Sequence, residues 1–381
     1  MFILHVTRDH APAHCGGTST AVTGLIRALS QRQIGSCVVS FEQWRPRANP
    51  IGAPLKRDEH EGISVVRLST PDQLPAAQSW ALEQAIDLVV VHHEMLWEFG
   101  QAVARARNVP CVLVVHVFQA AMNRVRGIEE RTMSLVAQEV ALEEAAAVIA
   151  TSKAVEAELL EMYPKLQGRL QQLDLGTHRV AEKCRTFFVP TVVFSGRFDS
   201  IKRLSLLLEA MEKVIQVHPE ARLLILGGNP GNAKLDRRWR RRLASEISTD
   251  LQERTEVTGW LSEDELWQRL GDASIIVVPS LYETFGLSLL EAMARGLAAV
   301  VSPAGGLARL VEHSESGYLV DSADPEPWSK AILSLLETPE RTLAMGELAR
   351  QRVEANWHWK AVVKQWEDTL LRLCEVSARK F

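Results

Sequence analysis

The chain has 381 residues, more than one hydrophobic core usually holds, so two domains of roughly 180 residues each are expected. Hydrophobic residues make up 46% and charged residues 24%, the balance of an ordinary globular protein, and no apolar run reaches the ~20 residues a membrane-spanning helix needs. A net charge of −4 gives no reason to expect nucleic acid as a partner, and five scattered cysteines without CxxC spacing point to reduced thiols and away from a disulfide or zinc framework.

The start, MFILHVTRDH, lacks a basic leader and a long apolar stretch, so it reads as a first buried strand and a cytoplasmic location is expected. A polar loop with Gly16 and Gly17 follows, then a helix that Thr18 or Ser19 should cap; glycines there let backbone approach a phosphate, although GxGxxG is absent. Residues 44–62 carry Pro, Gly and charge without period and read as a long loop, with a hairpin through EGISVVRL behind it. DLVVVHH and CVLVVHV are apolar strands ending in His92, His93 and His116. Adjacent histidines alternate faces and no third ligand is fixed by spacing, so no metal is expected at His92, His93 and Glu94. His116 should face the ligand crevice at its strand end and donate to a hydroxyl. Segment 118–131 reads as a loop at the same sheet edge, and Arg8, Asp9, His93 and Arg124 are the candidates for binding an acceptor.

AAVIATS and RLQQLDLG close the first half. Its boundaries are set at 1–175, with a linker over 176–187 and a second domain over 188–355, where TVVFSG, ARLLILGG, ASIIVVPS and AAVVSP repeat the strand theme. Strands apolar throughout imply helices on both faces of parallel sheets, hence two doubly wound α/β domains. RRWRRR at 237–242 reads as the solvated face of a helix burying Leu235, Trp239 and Leu243; a membrane surface is possible there but not indicated. Residues 356–381 form a final amphipathic helix, anchored by Trp357 and Trp359, that crosses back to the first domain.

Two constellations carry chemistry. In SGRFDSIKR, Arg197 and Lys202 stand at a strand's C-terminal edge, where two cations can neutralise a diphosphate and stabilise the charge it gains as a leaving group. In PSLYETFGLSLLEAM, Gly286 opens a helix whose unpaired N–H groups at Phe285, Gly286 and Leu287 form an electropositive rim. Glu283 lies just outside that rim, and Glu291 lies about two turns further along, at ~1.5 Å of rise per residue. Two carboxylates spaced in this way suit the hydroxyls of two sugars joined by a diphosphate. No DxD stands at a strand end to hold a bridging cation, and the Arg and Lys pair would serve instead.

The second half, roughly 188–360, resembles the retaining glycosyltransferases of the GT-B fold, family-four type, through ETFGLSLLE (an E-x7-E signature), GRFDSIKR, VTGWLSEDEL and PAGGLARLVEHSESGYLVDSADPEPWSKAI. The first half matches more loosely, through Gly16, Gly17 and His116. The resemblance implies two Rossmann-like domains facing a central cleft. Glu283, Thr284 and the backbone of Phe285, Gly286 and Leu287 would hold the transferred sugar, and Glu291 the ribose; Arg197 and Lys202 would hold the diphosphate; Trp260 and Leu261 would lie near the base; Gly16, Gly17 and His116 would meet the donor from the first domain. Reaction on one face, with a phosphate oxygen taking the acceptor's proton, would need neither a protein base nor a metal. Where many members carry Asn-Gly-Val-Asp, this chain has LDLGTH and keeps only Gly176.

The function expected is retaining transfer of a sugar from a nucleoside diphosphate sugar, UDP being the commoner family choice, to an unidentified hydroxyl of a glycan, lipid or small molecule, with no cofactor. A sugar-nucleotide epimerase would need acid and base groups flanking one sugar, and a phosphorylase an extra phosphate site or a cofactor lysine; neither stands out. A non-catalytic nucleotide-sugar-binding protein would not need to keep the Arg197, Lys202, Glu283 and Glu291 set intact. A nicotinamide dehydrogenase fails on the phosphate loop.

Overall fold

The computed structural model describes residues 1–12, 16–41, 55–182, 186–228 and 233–378. Two compact units make up the chain: Met1–Gly176 with Trp359–Phe381, and Thr177–His358.

The first unit is built on eight strands: β1 (Phe2–Thr7), β2 (Gly35–Phe41), β3 (Lys56–His60), β4 (Ile63–Leu68), β5 (Leu88–Val91), β6 (Cys111–Val115), β7 (Ala147–Ala150) and β8 (Leu170–Gln172). Their order in the sheet is β3-β4-β2-β1-β5-β6-β7-β8. The β3–β4 pair is antiparallel and the others are parallel. The chain order reverses direction at β1, which lies between β2 and β5, so the loops leaving β1 and β5 flank the switch point where such sheets take ligands. Strands β5, β6 and β7 are buried end to end, as covering both faces with helices requires. The hairpin expected behind the long loop is β3–β4, turned by Glu61 and Gly62 with φ of 52° and 79°. Its outer strand, KRDEH, is charged and largely exposed, which blunts the sheet edge against further pairing. Of that expected loop, residues 44–54 lie outside the described residues.

The second unit has six parallel strands, β9 (Thr191–Ser195), β10 (Arg222–Leu226), β11 (Thr255–Gly259), β12 (Ile275–Val278), β13 (Ala298–Val301) and β14 (Gly317–Leu319), in the order β11-β10-β9-β12-β13-β14. Its core gathers Val192, Phe194, Ile225 and Val277 from the strands with Leu207, Met211, Trp328 and Leu335 from the helices. Here the switch falls between β9 and β12.

The boundaries differ from those read in the sequence. Residues 177–182 belong to the second unit and are not a linker: Ala181 N donates to Ala294 O, and Arg350 Nη1 donates to Ala181 O at 3.2 Å. Residues 356–358 also stay with that unit, Thr177 pairing with His358. The last helix, Trp359–Ala378, lies on the first. Trp359 packs so closely on the helix Gly17–Ser30 that a Cβ on Gly24 would come within 2.5 Å of its Nε1, and buried Trp366 donates to Asp174 O at 2.7 Å. Two local expectations also change. The helix Gly17–Ser30 enters through Gly16 at φ 132° with no side-chain cap, Ser19 being buried instead. Within 118–131, residues Gln119–Arg126 form a helix.

Candidate functional site

In the second unit, the segments that follow β9, β10, β11, β12 and β13 at the C-terminal sheet edge contribute. β9 runs into Gly196 and exposed Arg197, and the turn Ser200–Lys202 brings the Lys202 chain to 3.9 Å from where a Cβ on Gly196 would stand. β12 delivers Ser280 and Glu283. Lys202 Nζ is ion-paired with Glu283 Oε1, and Ser280 Oγ donates to the same oxygen at 2.8 Å. Both members of the pair are mostly sheltered, with 20% and 12% of their side chains exposed, so the pair is less screened than a surface one. Leu281 N donates to Ile201 O at 2.7 Å and ties the two loops together.

Gly286, at φ 104°, then starts the helix Leu287–Ala294, a backbone angle that strains any other residue. A Cβ there would also strike Leu307 at 2.6 Å. The turn after β13 closes on the same loop: Gly306 N donates to Glu283 O at 2.8 Å, and a Cβ on Gly305 would fall 2.0 Å from that oxygen. The backbone that presents Glu283, Thr284 and Phe285 is thus clamped from behind. One face of this clamp is Ser302 Oγ, which donates to Ser280 O at 2.5 Å.

Glu291 follows about one turn into the helix. Its carboxyl is enclosed by protein although the residue keeps some surface, and burial with help from Glu263 raises its pKa to about 8, against the pull of Arg179. At neutral pH it is largely protonated and so both donates and accepts.

Beyond β10 and β11 the approach is equally close. A Cβ on Gly227 would lie 2.0 Å from Gly196 O; Gly227 N donates to Gly259 O at 2.9 Å. Trp260, exposed by 38%, follows Gly259, with half-buried Leu261 next to it. The helix Ala233–Glu246 does not present RRWRRR wholly to solvent: Leu243 is buried, and Arg240 is paired with Asp236 at 2.8 Å and turned onto Gly259.

In the first unit, the candidates at the sheet edge fall into two groups. Arg8 Nη1 meets His93 Nε2 at 3.4 Å, Asp9 is buried beside them in sequence, and Gly16 and Gly17 open the helix after β1. Desolvation and Arg8 lower His93 to a pKa of about 4. Arg67, buried on β4, donates to His10 O at 2.9 Å and Ala11 O at 2.5 Å and is paired with Asp58, which fixes the course of this loop. Arg124 stands apart from that group, its Nη2 3.5 Å from Met162 Sδ.

The second group is a row of imidazoles. His5 Nδ1 lies 3.0 Å from His92 Nε2, His92 Nδ1 lies 3.0 Å from His116 Nε2, and Ser36 Oγ stands 3.4 Å from His5 Nε2. Ser36 on β2, His5 on β1, and His92 and His116 immediately after β5 and β6 supply these side chains in turn across adjacent strands. Burial is the first cause holding the rings neutral, lowering His5 and His116 to about 3 and His92 well below its usual value. Among the described residues no group of His, Cys, Asp and Glu is arranged to hold a metal ion. Nor is any helix there long and apolar enough to cross a membrane. His116 and Glu283 stand out in the sequence, whereas the row behind His116 and the contacts of Ser280 and Gly305 with the Glu283 loop appear only in the structure.

Two Rossmann-like units with parallel sheets, one carrying a cation, a carboxylate and a glycine-opened helix at its strand ends, define the GT-B class of glycosyltransferases. Two family models match this chain, "Glycosyl transferases group 1" over residues 189–352 and "Glycosyl transferase 4-like domain" over 16–167, and the chain belongs to this glycosyltransferase family. It is 30% identical to a D-inositol 3-phosphate glycosyltransferase of Thermobispora bispora, over 75% of this chain and 69% of that protein. A D-inositol 3-phosphate glycosyltransferase of Catenulispora acidiphila is 28% identical over 98% of this chain and 94% of its own length. Among solved structures, sucrose-phosphate synthase from Thermosynechococcus elongatus has the same fold, with a TM-score of 0.83, 22% identity and coverage of 98% and 99%. The Anabaena protein HepE, in complex with UDP and glucose, gives a TM-score of 0.76 at 17% identity over 98% and 100% of the two chains. The chain is a glycosyltransferase that uses a nucleotide-sugar donor.

Proposed function

We propose that the donor is a UDP-sugar, that transfer to the acceptor hydroxyl proceeds with retention, and that no metal ion is required. One observation carries the reading: Lys202, Glu283 and Ser280 converge beside the helix entry at Gly286, which sets a cation and sugar-hydroxyl partners within one clamped loop cluster. Arg197 and Lys202 take up the charge that develops on the diphosphate as the bond from the anomeric carbon to its oxygen breaks. The acceptor oxygen bonds to that carbon from the same face, and its proton passes to a phosphate oxygen of the departing UDP. Glu283, with the backbone of Thr284, Phe285, Gly286 and Leu287, orients the sugar. Protonated Glu291 binds the ribose hydroxyls by donating as well as accepting. Trp260 and Leu261 flank the base. In the first unit, Gly16 and Gly17 support the donor and His116 meets a ligand hydroxyl.

The names of the relatives make D-inositol 3-phosphate the first acceptor to try, with Arg8 as the cation for its phosphate. Incubating the purified chain with UDP-, GDP- and ADP-glucose and this acceptor, with and without EDTA, tests each part. Release of UDP, an α-linked product by proton NMR and indifference to EDTA are expected. A β-linked product, loss of activity with EDTA or preference for another base would overturn the corresponding part.

A further inference from the structure

The row Ser36, His5, His92, His116 has a property no single member has. Each ring-to-ring contact of 3.0 Å needs one hydrogen between the two nitrogens. Two facing N–H groups, or two facing lone pairs, would forfeit the bond and leave buried polar atoms unsatisfied. Because each neutral imidazole carries a single N–H, only two arrangements satisfy both contacts. In one, all three rings are protonated at Nδ1: Ser36 donates to His5 Nε2, His5 Nδ1 to His92 Nε2, and His92 Nδ1 to His116 Nε2. In the other, all three are protonated at Nε2 and every bond reverses, with Ser36 accepting. The outer ring nitrogen, His116 Nδ1, is a donor in the first and an acceptor in the second.

We infer that His5 and His92 are positioning residues for the transfer reaction: they lock three imidazoles into one shared tautomer, so that whether His116 Nδ1 donates to or accepts from a sugar hydroxyl is tied to the proton positions on His5 and His92. The rings lie end to end, which supports rigid registration: the His5 and His92 centroids are 5.3 Å apart with planes 17° from parallel, and those of His92 and His116 are 5.3 Å apart with planes tilted by 35°. Adjacent strands hold the row in place, since His5 pairs in register with Val38 and Val90, and His92 N donates to Val6 O at 2.9 Å. Low basicity in all three rings keeps protonation from scrambling the pattern at neutral pH. The functional half of the inference rests on the reading of His116 given above, whereas the shared tautomer does not.

The test uses the full chain labelled with 15N-histidine, with ring nitrogens read by long-range proton–nitrogen correlation and assigned by single replacement. The three rings are expected to show the same neutral tautomer. In His5→Phe, and in the milder Ser36→Ala should His5→Phe fail to fold, the His116 nitrogens should move although neither change touches that ring. UDP release from UDP-glucose should slow by about 10-fold in kcat, the scale of a weakened donor or acceptor contact, while KM stays within about twofold. Mixed tautomers in the parent protein, or His116 nitrogens that move in neither variant, would overturn the row. A parent protein whose rings share a tautomer but which releases no nucleoside diphosphate from any sugar nucleotide would overturn the positioning role together with the assigned reaction.

Discussion

The two units solve the problem of presenting polar groups in opposite ways. The second sets its groups at strand ends on loops held by close backbone contacts, and draws Ser280, Glu283, Gly286 and Glu291 from one short stretch of chain. The first draws His5, His92 and His116 from three strands and buries their contacts in the sheet. A loop cluster tolerates change in the sheet beneath it but not in its own backbone. A buried row tolerates change at the surface but depends on strand register, since a one-residue slip turns a side chain to the other face.

Removing the carboxylate at the centre of the loop cluster should break it most. Glu283→Ala is expected to fold normally and to lose about 1,000-fold in transfer rate, the upper range for a group aimed at the reacting centre; parental rates of UDP release would refute the assignment. Next is the clamp. Gly305→Ala should lower the rate by about 100-fold, because a displacement of about 1 Å suffices for that, and the contact 2.0 Å from Glu283 O must be relieved by moving that backbone. An unchanged rate would show that the clamp does not position Glu283. On the first unit, Gly24→Val forces the last helix away from the helix Gly17–Ser30 and should cost about 1–3 kcal/mol of stability, visible as a lower denaturant midpoint.

The smallest effects set the units against each other in pH. Glu291, raised to about 8 from 4.5, stays protonated in the folded chain when the unfolded chain has lost the proton, so its stabilising contribution is full below about 4.5 and fades as pH rises through 8. Glu291→Gln should therefore leave stability near pH 4 unchanged and raise the melting temperature at pH 8 relative to the parent. His5, lowered to about 3 from 6.5, has the reverse sign: its contribution is full above 6.5 and is lost as pH falls toward 3. His5→Phe should flatten that acid limb alone. If both replacements flattened the same limb, the contrast between the units would fail.

Much of this was legible in the sequence, for reasons that follow the same contrast. Apolar strand runs announced both parallel sheets, and Glu283, Gly286 and Glu291 could be read together because one turn and one helix fix their spacing. Ser280 lay within the same stretch, yet a serine beside proline looks like any turn residue. Gly305 was also in view, but only the structure shows that it meets Glu283 O. Three strand runs ending in or near histidine, ILHVT, DLVVVHH and CVLVVHV, were the available signal for the row. Joining them required the order β1-β5-β6 and a register that composition does not encode. The expected cap at Thr18 or Ser19 failed because Gly16 turns the chain by its backbone alone. The linker failed because residues 177–182 carry no strand or helix of their own and are recognised only by what they bond to.

The placement of the final helix has a consequence for synthesis. The ribosome completes Thr177–His358 as one uninterrupted stretch, whereas the unit that emerges first lacks the Trp359 and Trp366 contacts until residues 359–378 have left the tunnel. Its helix Gly17–Ser30 therefore waits, with the surface around Gly24 uncovered, through the making of the entire second unit. Released chains ending at His358 should show a protease-resistant second unit and a first unit still open to cleavage, and equal resistance of both would show that the early unit does not depend on the helix Trp359–Ala378.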